Sequence, residues 1–165
     1  MKIKIRKGEK KDLKKVLEMI KELADYEGSL KEVTLTVREL ERDGFGHNPH
    51  YSFLVAIKNQ EIIGLSFYFI RYSTWKGKFL FLEDFVIKKE HRNIGVGSLL
   101  FKETIKICCE LNLKGMCWQV LDWNTPAINF YKKHNAQIGN TWLNGKLTKN
   151  QIKKINAKQN KVSKS

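Results

Sequence analysis

The 165-residue chain has no apolar run long enough to span a bilayer, which argues against a membrane-spanning helix. Its opening stretch, MKIKIRKGEKK, carries basic residues but lacks the apolar centre of a secretory leader, so none is expected. Cysteine is scarce. Cys108, Cys109 and Cys117 make an odd count without C-x-x-C spacing, which speaks against a disulfide framework or a zinc site and for a reducing, cytoplasmic setting. The four histidines, His47, His50, His91 and His134, form no convincing ligand set, so no metal is expected. No internal repeat is visible. No Asp or Glu follows Asp122, whereas nine lysines do.

What is present is a 42% hydrophobic content, enough for a packed core, and a formal charge of +14. Such a charge suggests an anionic partner: nucleic acid, an acidic membrane or a phosphate-rich small molecule. The charge is uneven, because Glu18 to Asp43 is locally acidic. The Lys/Asn/Gln-rich end reads as a solvated, partly disordered tail.

Periodicity supplies the elements. KIKI alternates as a short edge strand, and Leu13, Val16, Leu17, Ile20, Leu23 and Ala24 mark a helix over about 10–26. Thr36 and Glu39 form a capping box for a second helix ending near Gly44. YSFLVAI and IIGLSFYFIRY, joined by KNQE, read as a hairpin. KFLFLEDFVI is too continuously apolar for an edge strand. A helix follows to about Leu111, then a strand over GMCWQVL, a helix over PAINFYKKH opened by Asn124, and a strand over 137–143. The order β-α-α-β-β-β-α-β-α-β predicts one α/β (α+β) domain: a mixed sheet with helices on both faces.

The segment EHRNIGVGSLL joins a strand to a helix through Gly95 and Gly97. Such a turn is either needed for packing or is an anion site, with backbone N–H groups and the helix N-terminus facing the ligand and Arg92 adding a charge. It is not a Walker loop, for no G-K-[ST] follows, and it lacks the third glycine of a dinucleotide fingerprint.

In combination, FLEDFVIKKEHRNIGVGSLL, IKELADYE, RDGFGHNPHY, STWKGKFLFLEDFVI and WNTPAINFYKK resemble the GNAT acetyltransferase superfamily in order and spacing. The resemblance is to its spermidine/spermine (diamine) acetyltransferase family, nearer the thialysine branch, and fades after about Trp142. It implies a mixed, mostly antiparallel sheet, a catalytic domain over 1–146 with a basic tail over 147–165, a homodimer, and acetyl-CoA as co-substrate. Arg92, Asn93, Ile94, Gly95, Val96, Gly97 and Ser98 would cradle its pyrophosphate. Phe85, Val86 and Ile87 would pair with the pantetheine arm like an added strand. Asn124 and Tyr131 would contact the cofactor near its thioester. Asn93 stands where the family has a glycine, as does Asn135 after the last helix. Asparagine tolerates left-handed backbone better than most residues.

Acetyl transfer to an amine needs a neutral nitrogen, a stabilised carbonyl oxygen and a protonated leaving thiolate. At neutral pH roughly one alkylamine in two thousand is neutral, so a nearby carboxylate that binds the cation and then takes its proton is expected. Glu83 and Asp84 occupy the middle of an apolar strand. Simple alternation sends them to opposite faces, so they are not expected to serve one site. The resemblance assigns Glu83 as base, with Asp84 the alternative or the partner of a structural cation, and Tyr131 as general acid, where the residues alone favour a helix aromatic packed in the core. A backbone N–H near Phe85 or Val86 could stabilise the oxyanion. Tyr26 and Glu27 either line the acceptor pocket or form a solvated helix end. Trp75, Trp118, Trp123 and Trp142 are expected in the core or at a subunit contact. Polyamine-specific members carry an acidic residue and proline where Ser73 and Thr74 stand. The expected reaction is direct acetyl transfer, in a ternary complex, to a primary amine of a small cationic acceptor. Peptide acetylation on the same scaffold, a degenerate cofactor-binding regulator and a basic nucleic-acid-binding module are the alternatives. The last lacks an aromatic-basic RNA signature.

Overall fold

The computed structural model describes residues 2–139 and 143–162. They fall into two compact units, Met1–Gln119 and Val120–Ser165. The first holds β1 (Lys4–Lys7), a 3-10 turn (Lys10–Asp12), α1 (Leu13–Tyr26), α2 (Val37–Phe45), β2 (Ser52–Lys58), β3 (Glu61–Ser73), β4 (Gly77–Ile87), α3 (Val96–Glu110) and β5 (Met116–Trp118). The strands form one sheet in the order β1-β2-β3-β4-β5. The first three pairings are antiparallel, and β4 and β5, linked through α3, are parallel. The expected mixed sheet is therefore present.

Both faces of the sheet are covered. Phe53, Val55, Leu65, Phe67 and Val86 pack with Leu13, Val16, Leu17 and Met19 of α1 and Leu40 of α2. Burying each such side chain stabilises the fold by about 1.5–3 kcal/mol. On the opposite face α3 approaches closely at Gly64, where a Cβ would lie 2.7 Å from Ile87 Cδ1 and 3.4 Å from Leu100 Cδ2. Ser66 and Thr104 share a buried hydrogen bond of 2.8 Å, and Phe85 meets Phe101 edge to face.

Local signals explain most element ends. Thr36 and Glu39 cap α2 reciprocally. The β2–β3 hairpin closes through Asn59 and Gln60, both left-handed at φ 50° and 66°, the geometry of a two-residue primed turn. After α1, Gly28 is left-handed, and the Ser29 N–H donates to Ala24 O at 2.7 Å. Asn112 and Asn135 end α3 and α4 in the same way, with Leu113 N–H donating to Cys108 O and Ala136 N–H to Tyr131 O.

Three expectations need correction. The strand over GMCWQVL shrinks to Met116–Trp118, because β5 pairs with β4 only at Leu80, Phe81 and Leu82 before the two part. The final strand is absent at 137–139 and at Leu143, while 140–142, including Trp142, lie outside the described residues. Of the tryptophans expected in the core or at a subunit contact, Trp75 and Trp123 are exposed, at 84% and 51%, and so are not core residues.

The second unit holds α4 (Thr125–Lys133) and α5 (Lys149–Val162). The Asn124 side chain accepts from the Ala127 N–H and Pro126 sits in the first turn, as expected. A helix within the lysine-rich tail was not expected. It opens on a reciprocal Thr148–Gln151 pairing, a capping box in which glutamine replaces glutamate.

Candidate active site

The sheet changes phase at one residue of β4. Phe67 of β3 lies opposite Asp84, and the next residue, Tyr68, lies opposite Leu82. Glu83 is thus the extra residue of a β-bulge. Opposed residues in an antiparallel ladder share a face. Asp84 therefore shares the face of Phe67, under α1 and α2, whereas Leu82 shares that of Tyr68. Without the bulge, two positions apart on a strand would share one face. Val86 in the α1 core and Phe85 against α3 follow the reversed phase.

The expectation that Glu83 and Asp84 serve opposite faces therefore fails, because alternation does not survive a bulge. Asp84 is partly buried, and that burial, the charge of Glu83 and the charge of Glu27 push its carboxyl up to about 7. Glu27 caps the C-terminus of α1, held by the bonds around Gly28, and burial raises its carboxyl above the usual value. The fold so brings together three carboxylates from two elements, two of them far apart in sequence.

At the far end of β4 the chain passes through a 3-10 turn (Lys89–His91) into the glycine turn. Buried Lys88 pairs with Glu61, and its backbone N–H donates to Ile63 O at 3.0 Å, which fixes this exit. The Arg92 Nε–H donates to Ile87 O at 2.9 Å. Asn93 is left-handed at φ 62°, as its place in the loop requires, and Gly95 follows at φ 88° as the N-cap of α3. No side chain caps this helix, and a Cβ built on Gly95 would meet nothing within 4 Å. Open space over a bare helix N-terminus suits a phosphate group. Ile94 is exposed beside it, Val96 is buried, and Gly97 and Ser98 form the first turn. β4 continues past its last pairing with β5 at Leu82, so Phe85, Val86 and Ile87 lie beyond that pairing.

Of the remaining candidates, Tyr26 is half-exposed and its ring centre lies 5.9 Å from the Arg92 guanidinium carbon. Tyr26 was expected at the acceptor pocket or at a solvated helix end, and no local pattern in the sequence marks its contact with the glycine turn. Asn124 and Tyr131 belong to the second unit. There Asn124 is buried at the start of α4, and Tyr131 is buried with its ring 5.4 Å from that of Phe130. Among the described residues no group of three or more His, Cys, Asp or Glu could hold a metal ion, and no helix is long and apolar enough to cross a membrane.

A strand with a β-bulge at a pair of acids, leading through a glycine turn into an uncapped helix N-terminus, fits a group-transfer enzyme that holds a phosphorylated co-substrate. The acetyltransferase (GNAT) family model matches residues 16–136, and the chain belongs to that family of N-acetyltransferases. It is 35% identical over 141 residues to thialysine N-epsilon-acetyltransferase of Bos taurus, covering 81% of this chain and 83% of that protein. It is 34% identical over 139 residues to spermidine/spermine N(1)-acetyltransferase-like protein 1 of Homo sapiens, covering 80% of this chain and 20% of that longer one. The fold is shared with an aminoglycoside acetyltransferase from an uncultured soil metagenomic sample, solved with sisomicin. That match has a TM-score of 0.74 at 15% identity and covers 88% of this chain and 97% of the other.

Proposed function

We propose that this enzyme transfers acetyl from acetyl-CoA directly to a primary amine of a small cationic acceptor, a thialysine-like amine or a diamine. The observation that carries the reading is the β4 bulge, which sets Glu83 and partly buried Asp84 on the strand that leads into the uncapped glycine turn. Family membership and the names of the relatives support it.

Acetyl-CoA would supply an acetyl group activated as a thioester. Arg92 and the backbone of 93–98 hold its diphosphate, and Phe85, Val86 and Ile87 offer a strand edge to its pantetheine arm. Gly95 fits that role because its αL backbone leaves open space where a phosphate would press on a side chain. Glu27, Glu83 and Asp84 attract the acceptor's ammonium. Glu83 is the base that takes the proton from nitrogen, and Asp84, poised near neutrality by burial, holds part of the shared charge. An N–H of β4 near Phe85 or Val86 stabilises the oxyanion. Tyr131 returns a proton to the departing sulfur, and Asn124 orients the thioester end. The catalytic domain is 1–146, acting as a homodimer, with 147–165 as an appended basic tail.

Ser73 and Thr74 stand beside exposed Trp75 without a carboxylate to anchor a second ammonium. This favours thialysine over spermidine. An acceptor panel followed by thiol release tests the choice: faster turnover of thialysine supports it, and turnover of spermidine and putrescine with none of thialysine overturns it. Acetylation of peptides but no free amine would overturn the small-molecule reading.

A further inference from the structure

Resting on the acetyl-CoA reading above, we infer that Tyr26 is a positioning residue that aims Arg92 at the glycine turn and ties cofactor occupancy to the acceptor's carboxylates. Arg92 has two fixed contacts. Its Nε–H donates to the last carbonyl of β4, and its guanidinium lies over the Tyr26 ring within cation–π range. Among the described residues Arg92 forms no ion pair, so the ring and the Ile87 carbonyl set its direction while its charge stays available to an anion. A guanidinium held this way meets a diphosphate with less rotamer freedom left to lose.

The ring sits on a firm support. Tyr26 is the last residue of α1, and Glu27 is its cap. The Gly28 N–H donates to Asp25 O at 3.0 Å and the Ser29 N–H to Ala24 O at 2.7 Å, so both side chains project from a hydrogen-bonded terminus. One neighbour faces Arg92 and the other bears on Asp84. Because that terminus is rigid, an anion drawn to Arg92 acts through the Tyr26 ring on the same short segment that carries Glu27. By linkage, an amine at Glu27 and Asp84 strengthens anion binding by the same factor. The coupling is bounded by a partly exposed cation–π contact, which corresponds to about a twofold to fivefold effect.

Calorimetry with CoA, which has no acetyl group to transfer, separates this proposal from the functional reading beneath it. If the unaltered chain does not bind CoA, the functional reading itself fails. If it binds, Tyr26→Leu is expected to weaken CoA about twofold to fivefold, Tyr26→Phe to match the unaltered chain, and Tyr26→Trp to match or exceed it. Without ligand their melting temperatures should stay within about 5 °C of the unaltered chain, since Tyr26 is half-exposed. Repeating the titration with saturating amine, the best acceptor of the panel, should tighten CoA in the unaltered and Tyr26→Phe chains but not in Tyr26→Leu. Equal CoA affinity for the Leu and unaltered chains overturns the proposal. So does equal weakening by Leu and Phe, which would place the effect in the hydroxyl, or the absence of any amine effect in the unaltered chain.

Discussion

Asp84 is the residue on which pH acts most directly. Burial pushes its carboxyl up to about 7 in the folded chain, well above the usual aspartate range. A raised carboxyl contributes stability fully below the unfolded value and loses it as pH rises through the folded one. Asp84→Asn should therefore stabilise the fold at pH 8.5, by a few kcal/mol at most, and leave it unchanged at pH 4 or below. Melting temperatures at the two pH values check this, at roughly 2–4 °C per kcal/mol for a chain of this size. Activity runs the other way. Below about pH 7 a protonated Asp84 no longer attracts the ammonium, so kcat/KM for the amine should fall with falling pH, and this limb should vanish in Asp84→Asn. Glu83→Gln should lower kcat by about a hundredfold or more while sparing CoA binding. Two adjacent acids inside an apolar strand were legible as candidates. The bulge at Glu83 was not, because an extra residue leaves no mark on a hydrophobic pattern that runs unbroken on both sides.

At the scale of elements, the strand-to-helix turn carries the argument. Gly95 needs a left-handed backbone but has empty space where a Cβ would go. Gly95→Ala should thus cost only about 1–2 kcal/mol of stability, the backbone penalty alone. It should weaken CoA by more than tenfold if a phosphate fills that space, and calorimetry beside thermal melting separates the two effects. Asn93→Gly should keep CoA affinity within about twofold, whereas Asn93→Val forces a β-branched residue into the same left-handed backbone and should lose it. Most elements could be read from the sequence because apolar spacing and capping residues agree, as at Thr36, Glu39 and Asn124. β5 could not be measured in advance, since its end is set by where β4 diverges and not by its own composition. α5 has no broad apolar stripe to announce it, and only the Thr-x-x-Gln start at Thr148 hinted at a helix.

For the whole molecule, the net charge is +14, although three carboxylates stand at the candidate site. The polyanionic cofactor should be steered inward, so its association rate should fall several-fold between low and physiological ionic strength, as stopped-flow binding can show. The family was legible from five dispersed motifs together, whereas the coupling of α1 to the glycine turn depends on side chains meeting in space, at Tyr26 and Arg92. The most direct test is calorimetric titration of the full chain with acetyl-CoA. The account predicts saturable one-to-one binding per chain, weakened by Gly95→Ala. Absence of binding by either acetyl-CoA or CoA would contradict it.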